Sequence, residues 1–107
     1  MSRLEQLTEM LETEPDDAFL NYALALELDK ADRHAESLAL FEKLVAFDPP
    51  YVPAFFMAGQ MLSRLDRNAE ATSFLTRGIA EARKQGNGHA AGEMTEFLAM
   101  IEENEAP

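Results

Sequence analysis

The chain has 107 residues, 47% hydrophobic and 27% charged, a globular balance sized for one domain rather than two independent ones. It contains no cysteine, which excludes disulfides, zinc–thiolate centres and thiol catalysis. The net charge of −11 is uneven, with −8 in residues 1–49, +2 in 50–86 and −5 in 87–107; such a chain repels nucleic acid and anionic lipid at long range, and its acidity is either a solvated surface or a preference for basic partners.

The N-terminus, Met1-Ser2-Arg3-Leu4-Glu5, is amphipathic and has no apolar h-region, so no signal peptide is expected. Ser2 and Glu5 have the spacing of a capping box, and Leu4, Leu7, Met10 and Leu11 follow at helical spacing until Pro15. A second helix opens with acids at Asp16 and Asp17 and carries Leu20, Leu24, Ala25 and Leu28 on one face. Lys30-Ala31-Asp32 forms a turn, with Asp32 the expected N-cap of a third helix. That helix carries Ala35, Leu38, Phe41, Leu44, Val45 and Phe47 and stops at Asp48-Pro49-Pro50. A fourth helix has Pro53 in its first turn, then Phe55, Ala58, Gly59 and Leu62. Asp66 is the expected cap of a fifth, with Ala71, Phe74, Leu75, Gly78, Ile79 and Ala82, ended by Gln85-Gly86-Asn87-Gly88. A sixth carries Met94, Phe97, Leu98 and Ile101, and the acidic tail Glu102-Glu103-Asn104-Glu105-Ala106-Pro107 is expected to fray.

These elements repeat. Asp32-Arg33-His34-Ala35-Glu36 returns as Asp66-Arg67-Asn68-Ala69-Glu70, an offset of 34 residues. The same offset carries Leu4, Leu7, Met10, Leu11 and Pro15 onto Leu38, Phe41, Leu44, Val45 and Pro49, so the chain opens with half a repeat. It also matches Gly59 to Ala25, both small enough for helices to approach closely. A 34-residue period without strand signals predicts an all-α helical-repeat solenoid of about six antiparallel helices. The expected single domain divides into a half repeat (2–14), a first repeat (18–51), a second (52–85) and a C-terminal capping helix (89–104).

These residues resemble the tetratricopeptide repeat family, in the form of a small bacterial-type domain. The first unit supplies Leu24, Ala25, Leu28, Ser37, Phe41, Leu44 and Pro49, and the second Phe55, Gly59, Leu62, Ala71, Leu75 and Gly78. Departures are Asn21 where the family often has tryptophan, Ala58 for a large apolar residue, and Arg83 for the closing proline. The resemblance implies a right-handed superhelix whose concave face, lined by the first helix of each unit, binds a peptide or helical segment of a partner protein. Phe19, Tyr22, Leu26 and Lys30 in the first unit, and Phe56, Gln60 and Arg64 in the second, are the expected groove residues. Tyr22 and Phe56 would act as aromatic anchors, with Lys30 and Arg64 a cationic edge. The competing assignment makes Phe19 and Phe56 core residues under the last helix. The family's chaperone-binding carboxylate clamp is not expected, since the corresponding positions hold Tyr22, Leu26 and Met57.

No catalytic constellation stands out. Ser2, Ser37, Ser63 and Ser73 lack a histidine at a matching position, and Ser37 is expected in a helix contact. His34 is expected to be solvated in a turn, and His89 with Glu93 makes two ligands, too few for a metal site. The expectation is a non-enzymatic, cytoplasmic binding module with no cofactor, no nucleic-acid partner and no membrane span. The alternative is a self-assembling subunit, a homodimer through the unpaired N-terminal helix.

Overall fold

A computed structural model describes residues 1–105; Ala106 and Pro107 of the expected tail lie outside the described residues. The described residues form six helices and no strand: α1 (Arg3–Thr13), α2 (Ala18–Lys30), α3 (His34–Val45), α4 (Val52–Arg64), α5 (Asn68–Lys84) and α6 (Gly88–Glu105). Their contacts divide the chain into two compact units, the first spanning Met1–Tyr51 and the second beginning at Val52. The fold is an all-α helical repeat.

In the first unit α2 packs against both α1 and α3. Ser2 caps α1 through a reciprocal box with Glu5, Glu5 N–H donating to Ser2 Oγ at 3.1 Å and Ser2 N–H donating to Glu5 Oε1 at 3.3 Å. Asp17 caps α2 by accepting from the Leu20 amide at 2.8 Å. Leu7, Leu20 and Ala23 form a buried cluster with Leu11 and Leu24 packed on it, and Ala25, Leu28, Phe41 and Leu44 are buried as well. Two buried polar side chains are satisfied by backbone carbonyls. Asn21 Nδ2 donates to Pro15 O (3.0 Å) and Asp17 O (2.8 Å), and Ser37 Oγ donates to Ala25 O (2.7 Å). Asn21 therefore ties down the α1–α2 loop from the position where the family often has tryptophan.

In the second unit α5 packs on α4 and on α6, with α4 touching α6 more lightly. The small residues sit where backbones meet: a Cβ built on Gly59 would lie 2.8 Å from Leu75 Cδ2, and one on Gly78 would lie 2.5 Å from Phe55 Cβ and 2.6 Å from Met94 Sδ. Arg77 lies over the Phe74 ring at 4.7 Å and the Phe55 ring at 5.8 Å, covering their outer faces.

Two expectations about helix ends are corrected. Asp32 and Asp66 do not cap α3 and α5; they occupy left-handed backbone positions, φ 59° and 60°, that end α2 and α4. Arg33 N–H reaches back to Leu28 O (2.9 Å) and Asp32 N–H to Asp29 O (3.1 Å), and Arg67 N–H to Leu62 O (2.8 Å) and Asp66 N–H to Ser63 O (3.0 Å), the pairing of a Schellman turn. Gly86, φ 77°, ends α5 in the same way, with Asn87 N–H donating to Ala82 O at 2.8 Å. Aspartate tolerates the left-handed region because its short side chain clashes little there. The residues at the starts of α3 and α5 are Arg33 and Arg67, with no side-chain cap; each guanidinium instead makes a two-point pair with the glutamate three residues on, Glu36 and Glu70.

The third helix also stops earlier than expected. It ends at Val45, leaving Phe47 in an irregular turn with a cis Asp48–Pro49 bond, closed by Tyr51 N–H donating to Leu44 O at 3.0 Å. At the other terminus Glu102–Glu105, expected to fray, remain helical as the end of α6.

Candidate partner-binding surfaces

Four of the expected groove residues lie along α2 in the first unit. Phe19 is 63% exposed, which removes it from the core. Tyr22 is half-buried with its ring 5.4 Å from that of Tyr51 at an angle of 58°. Burial, and secondarily Tyr51, hold the Tyr22 hydroxyl above the ordinary tyrosine pKa, so it stays a neutral donor at physiological pH. Leu26 is half-buried; Lys30 is exposed, its ammonium 3.5 Å from Glu27 Oε1, which also lies 3.8 Å from Arg3 Nε. Lys30 is therefore the end of a small ion-pair chain rather than a bare cationic edge.

In the second unit Phe56 and Gln60 are half-buried on α4, and Arg64 is exposed at its C-terminal end. Phe56 packs edge to face against Phe97 of α6, centroids 5.8 Å apart at 71°. The last helix thus covers part of the Phe56 ring, and core and surface roles are shared by one side chain. Phe56, Phe97 and Met100, the last 56% exposed, join Glu93 and Glu96 around a shallow depression of about 190 Å³. Phe97 and Met100 escaped the groove assignment because they lie on α6, outside the repeated pattern. Periodicity places Phe97 on an apolar face but cannot name the ring it meets.

The histidines are not solvated alone. His34 begins α3 with its side chain 23% exposed, Nδ1 3.2 Å from Asp29 Oδ1 and Nε2 3.5 Å from Asp32 Oδ1. The Asp29 contact is close enough for an ion pair, yet Nδ1 is buried outside hydrogen-bond geometry. The turn that places Asp32 in the left-handed region is what folds these carboxylates around His34. His89 Nε2 lies 3.4 Å from Glu93 Oε1, one turn along α6. Among the described residues no group of three or more His, Cys, Asp or Glu side chains is arranged to hold a metal ion, and no helix is long and apolar enough to cross a membrane.

Known structures share this fold. A crystal structure of a tetratricopeptide repeat domain protein from Salinibacter ruber is 38% identical, covering 84% of this chain and 100% of its own, with a TM-score of 0.75. The chain belongs to the tetratricopeptide repeat family. A solution structure of a tetratricopeptide repeat domain protein from the same organism, also 38% identical, covers 87% of this chain and 94% of its own with a TM-score of 0.80. The fold is shared further by a protein of Bordetella parapertussis whose solution structure is 24% identical, covering 99% of this chain and 92% of its own, with a TM-score of 0.83. No protein-family model matches the chain, and no curated protein does.

Proposed function

We propose that this tetratricopeptide repeat chain is a non-enzymatic protein-interaction module that takes up an apolar side chain of a partner's peptide or helical segment. The observation that carries the reading is the Phe56–Phe97 ring pair, left half-open beside an exposed Met100. Aromatic and methionine side chains exposed together offer large, adaptable contact area, the composition of interaction hot spots. Within the second unit Gln60 and Arg64 extend that surface along α4, and in the first unit Phe19, Tyr22, Leu26 and Lys30 offer a corresponding face along α2.

A selection of random peptides on the full chain tests this. Enriched peptides should bind with an apolar anchor, and Phe97→Ala with Met100→Ala should weaken them by at least about tenfold, equivalent to roughly 1.4 kcal/mol, with helicity by circular dichroism retained. Enriched peptides that bind the double variant as well as the parent place the site elsewhere, and a selection without enrichment sinks the reading.

A second reading, self-association through α1, is favoured by Met10, which is 52% exposed on that helix beside Gln6, Glu9 and Thr13. Sedimentation at micromolar concentration decides it: a species of 11.9 kDa means a monomer.

A further inference from the structure

The turn that closes the first unit also builds a pocket. Phe47, Pro49 and Tyr51 from this turn, with Ala18 at the start of α2, surround a depression of about 560 Å³, and the carboxylates of Asp16 and Asp48 complete its lining. It is a shallow depression, open to solvent. Its walls are held in place before anything binds. Tyr51 is fixed by its backbone N–H donating to Leu44 O at 3.0 Å and by the Tyr22 ring at 5.4 Å. A preformed wall lowers the ordering cost of binding.

The chemistry of this lining selects a cation with flat, apolar faces. Aromatic rings and a prolyl ring offer faces on which a guanidinium stacks, and carboxylates at the same pocket accept its N–H groups. An anion would be repelled, and a plain aliphatic side chain would gain nothing from the carboxylates. The two acids are not equally engaged. Lys43 Nζ lies 3.8 Å from Asp16 Oδ1 while donating to Pro15 O at 2.9 Å. Asp48 has no cation paired with it among the described residues. The surrounding field has the same sign, since residues 1–49 carry a net charge of −8 and their four bases are all engaged, with Glu27, Glu36 or Asp16. We infer that this pocket receives an arginine side chain from a partner protein. The inference rests on the chain being a protein-binding module, but not on the Phe56–Phe97 surface.

The test uses the full chain, labelled with nitrogen-15 and titrated with an acetylated, amidated Gly-Ser-Arg-Ser-Gly peptide. Parallel titrations replace its arginine with citrulline, which is neutral and nearly isosteric, or with lysine. The arginine peptide should shift the amides of Ala18, Phe47, Asp48 and Tyr51. The citrulline peptide should bind at least about tenfold more weakly, and the lysine peptide a few-fold more weakly, because an ammonium neither stacks nor forks. Asp16→Asn with Asp48→Asn should weaken the arginine peptide about fourfold, near twofold per exposed carboxylate. Both acids are exposed, so the variant is expected to fold; should it not, the three peptides on the parent chain decide alone. Shifts absent from these four residues, or citrulline or lysine binding as well as arginine, would overturn the inference. Failure here with a successful peptide selection at Phe97 and Met100 leaves the interaction module standing without this pocket.

Discussion

The α2–α3 hairpin of the first unit and the α4–α5 hairpin of the second share a backbone plan and fill it with opposite volumes. At one pair of positions, offset by 34 residues, the first unit has Asn21 and Leu44 and the second has Phe55 and Gly78. All four are buried. In the second unit the large residue comes from the first helix and the small one from the second, and Phe55 presses on Gly78 closely enough to forbid a Cβ. In the first unit the volumes are exchanged, and the side chain left small by the exchange is polar. Asn21 uses that polarity to bind the carbonyls of Pro15 and Asp17. A second buried polar group in the first unit is Ser37, which bonds Ala25 O while its counterpart Ala71 has no such group. Cations behave likewise: Lys43 secures the Pro15 carbonyl, and Arg77 at the same register covers Phe74 and Phe55. At this pair of positions either helix can supply the larger side chain.

The largest effects come from reversing those volumes. Leu44→Ala should destabilise the chain by about 3 kcal/mol, since Leu44 is fully buried and its loss leaves a cavity. Gly78→Ala changes the equivalent position in the opposite direction. Alanine gains up to about 1 kcal/mol of helix propensity over glycine, but its Cβ must displace Phe55 Cβ and Met94, for a net loss of about 2 kcal/mol. Urea unfolding measures both, and amide exchange should localise the first in α2–α3 and the second in α4–α6. A neutral Gly78→Ala would show that α5 is free to shift, and the complementary-volume account would fail in the second unit.

A smaller effect isolates the buried polar group. Ser37→Ala should cost about 1 kcal/mol, the net value of one buried hydrogen bond. Ala71→Ser, the converse at the same register, should cost less than about 1 kcal/mol, because its hydroxyl has the Gly59 carbonyl to meet just as Ser37 has Ala25. If Ala71→Ser proves as damaging as a core cavity, the two contacts are not equivalent and the offset of 34 misaligns them.

Much of this was legible from residue order, and the failures have physical causes. The period, the six helices and the small residues Ala25, Gly59 and Gly78 follow from helical spacing and steric need. Asp32 and Asp66 read as N-caps in the sequence because aspartate is favoured both there and in the left-handed turn that ends a helix, and a repeat copies either use equally well. Phe47 continued the apolar spacing of α3 by coincidence, so the turn holding it, and with it the Asp16–Tyr51 pocket, had no periodic signal. Of the aromatic residues expected in a groove, Phe19 is open, whereas Tyr22 and Phe56 meet Tyr51 and Phe97, partners separated from them in sequence by α3 and an irregular turn, and by α5.

The Arg33–Glu36 and Arg67–Glu70 pairs give the smallest effect and the cleanest comparison, because here the two hairpins are chemically identical. Arg33 donates to Glu36 at 2.9 and 2.8 Å, and Arg67 to Glu70 at 2.8 and 2.6 Å. In each pair the hydrogen bond from arginine is the main reason that the glutamate pKa falls below its ordinary 4.5 and the arginine pKa rises. A carboxylate with a depressed folded-state pKa adds stability that is complete above its unfolded value and disappears as pH falls through the folded one. Acidification from pH 5 downward should therefore remove both contributions together. Both pairs are fully exposed, so salt should screen them as well. Carbon-13 titration of the glutamate side chains reads each site directly. Arg33→Gln should raise the midpoint of Glu36 and leave Glu70 where it was, and Arg67→Gln should do the reverse. Cross-talk between the sites would mean that the pairs titrate with their units rather than as local i,i+3 contacts. Unequal midpoints in the parent chain would mean that the identical turn motif sits in two different fields, as the uneven charge of −8 and +2 in the flanking segments would produce.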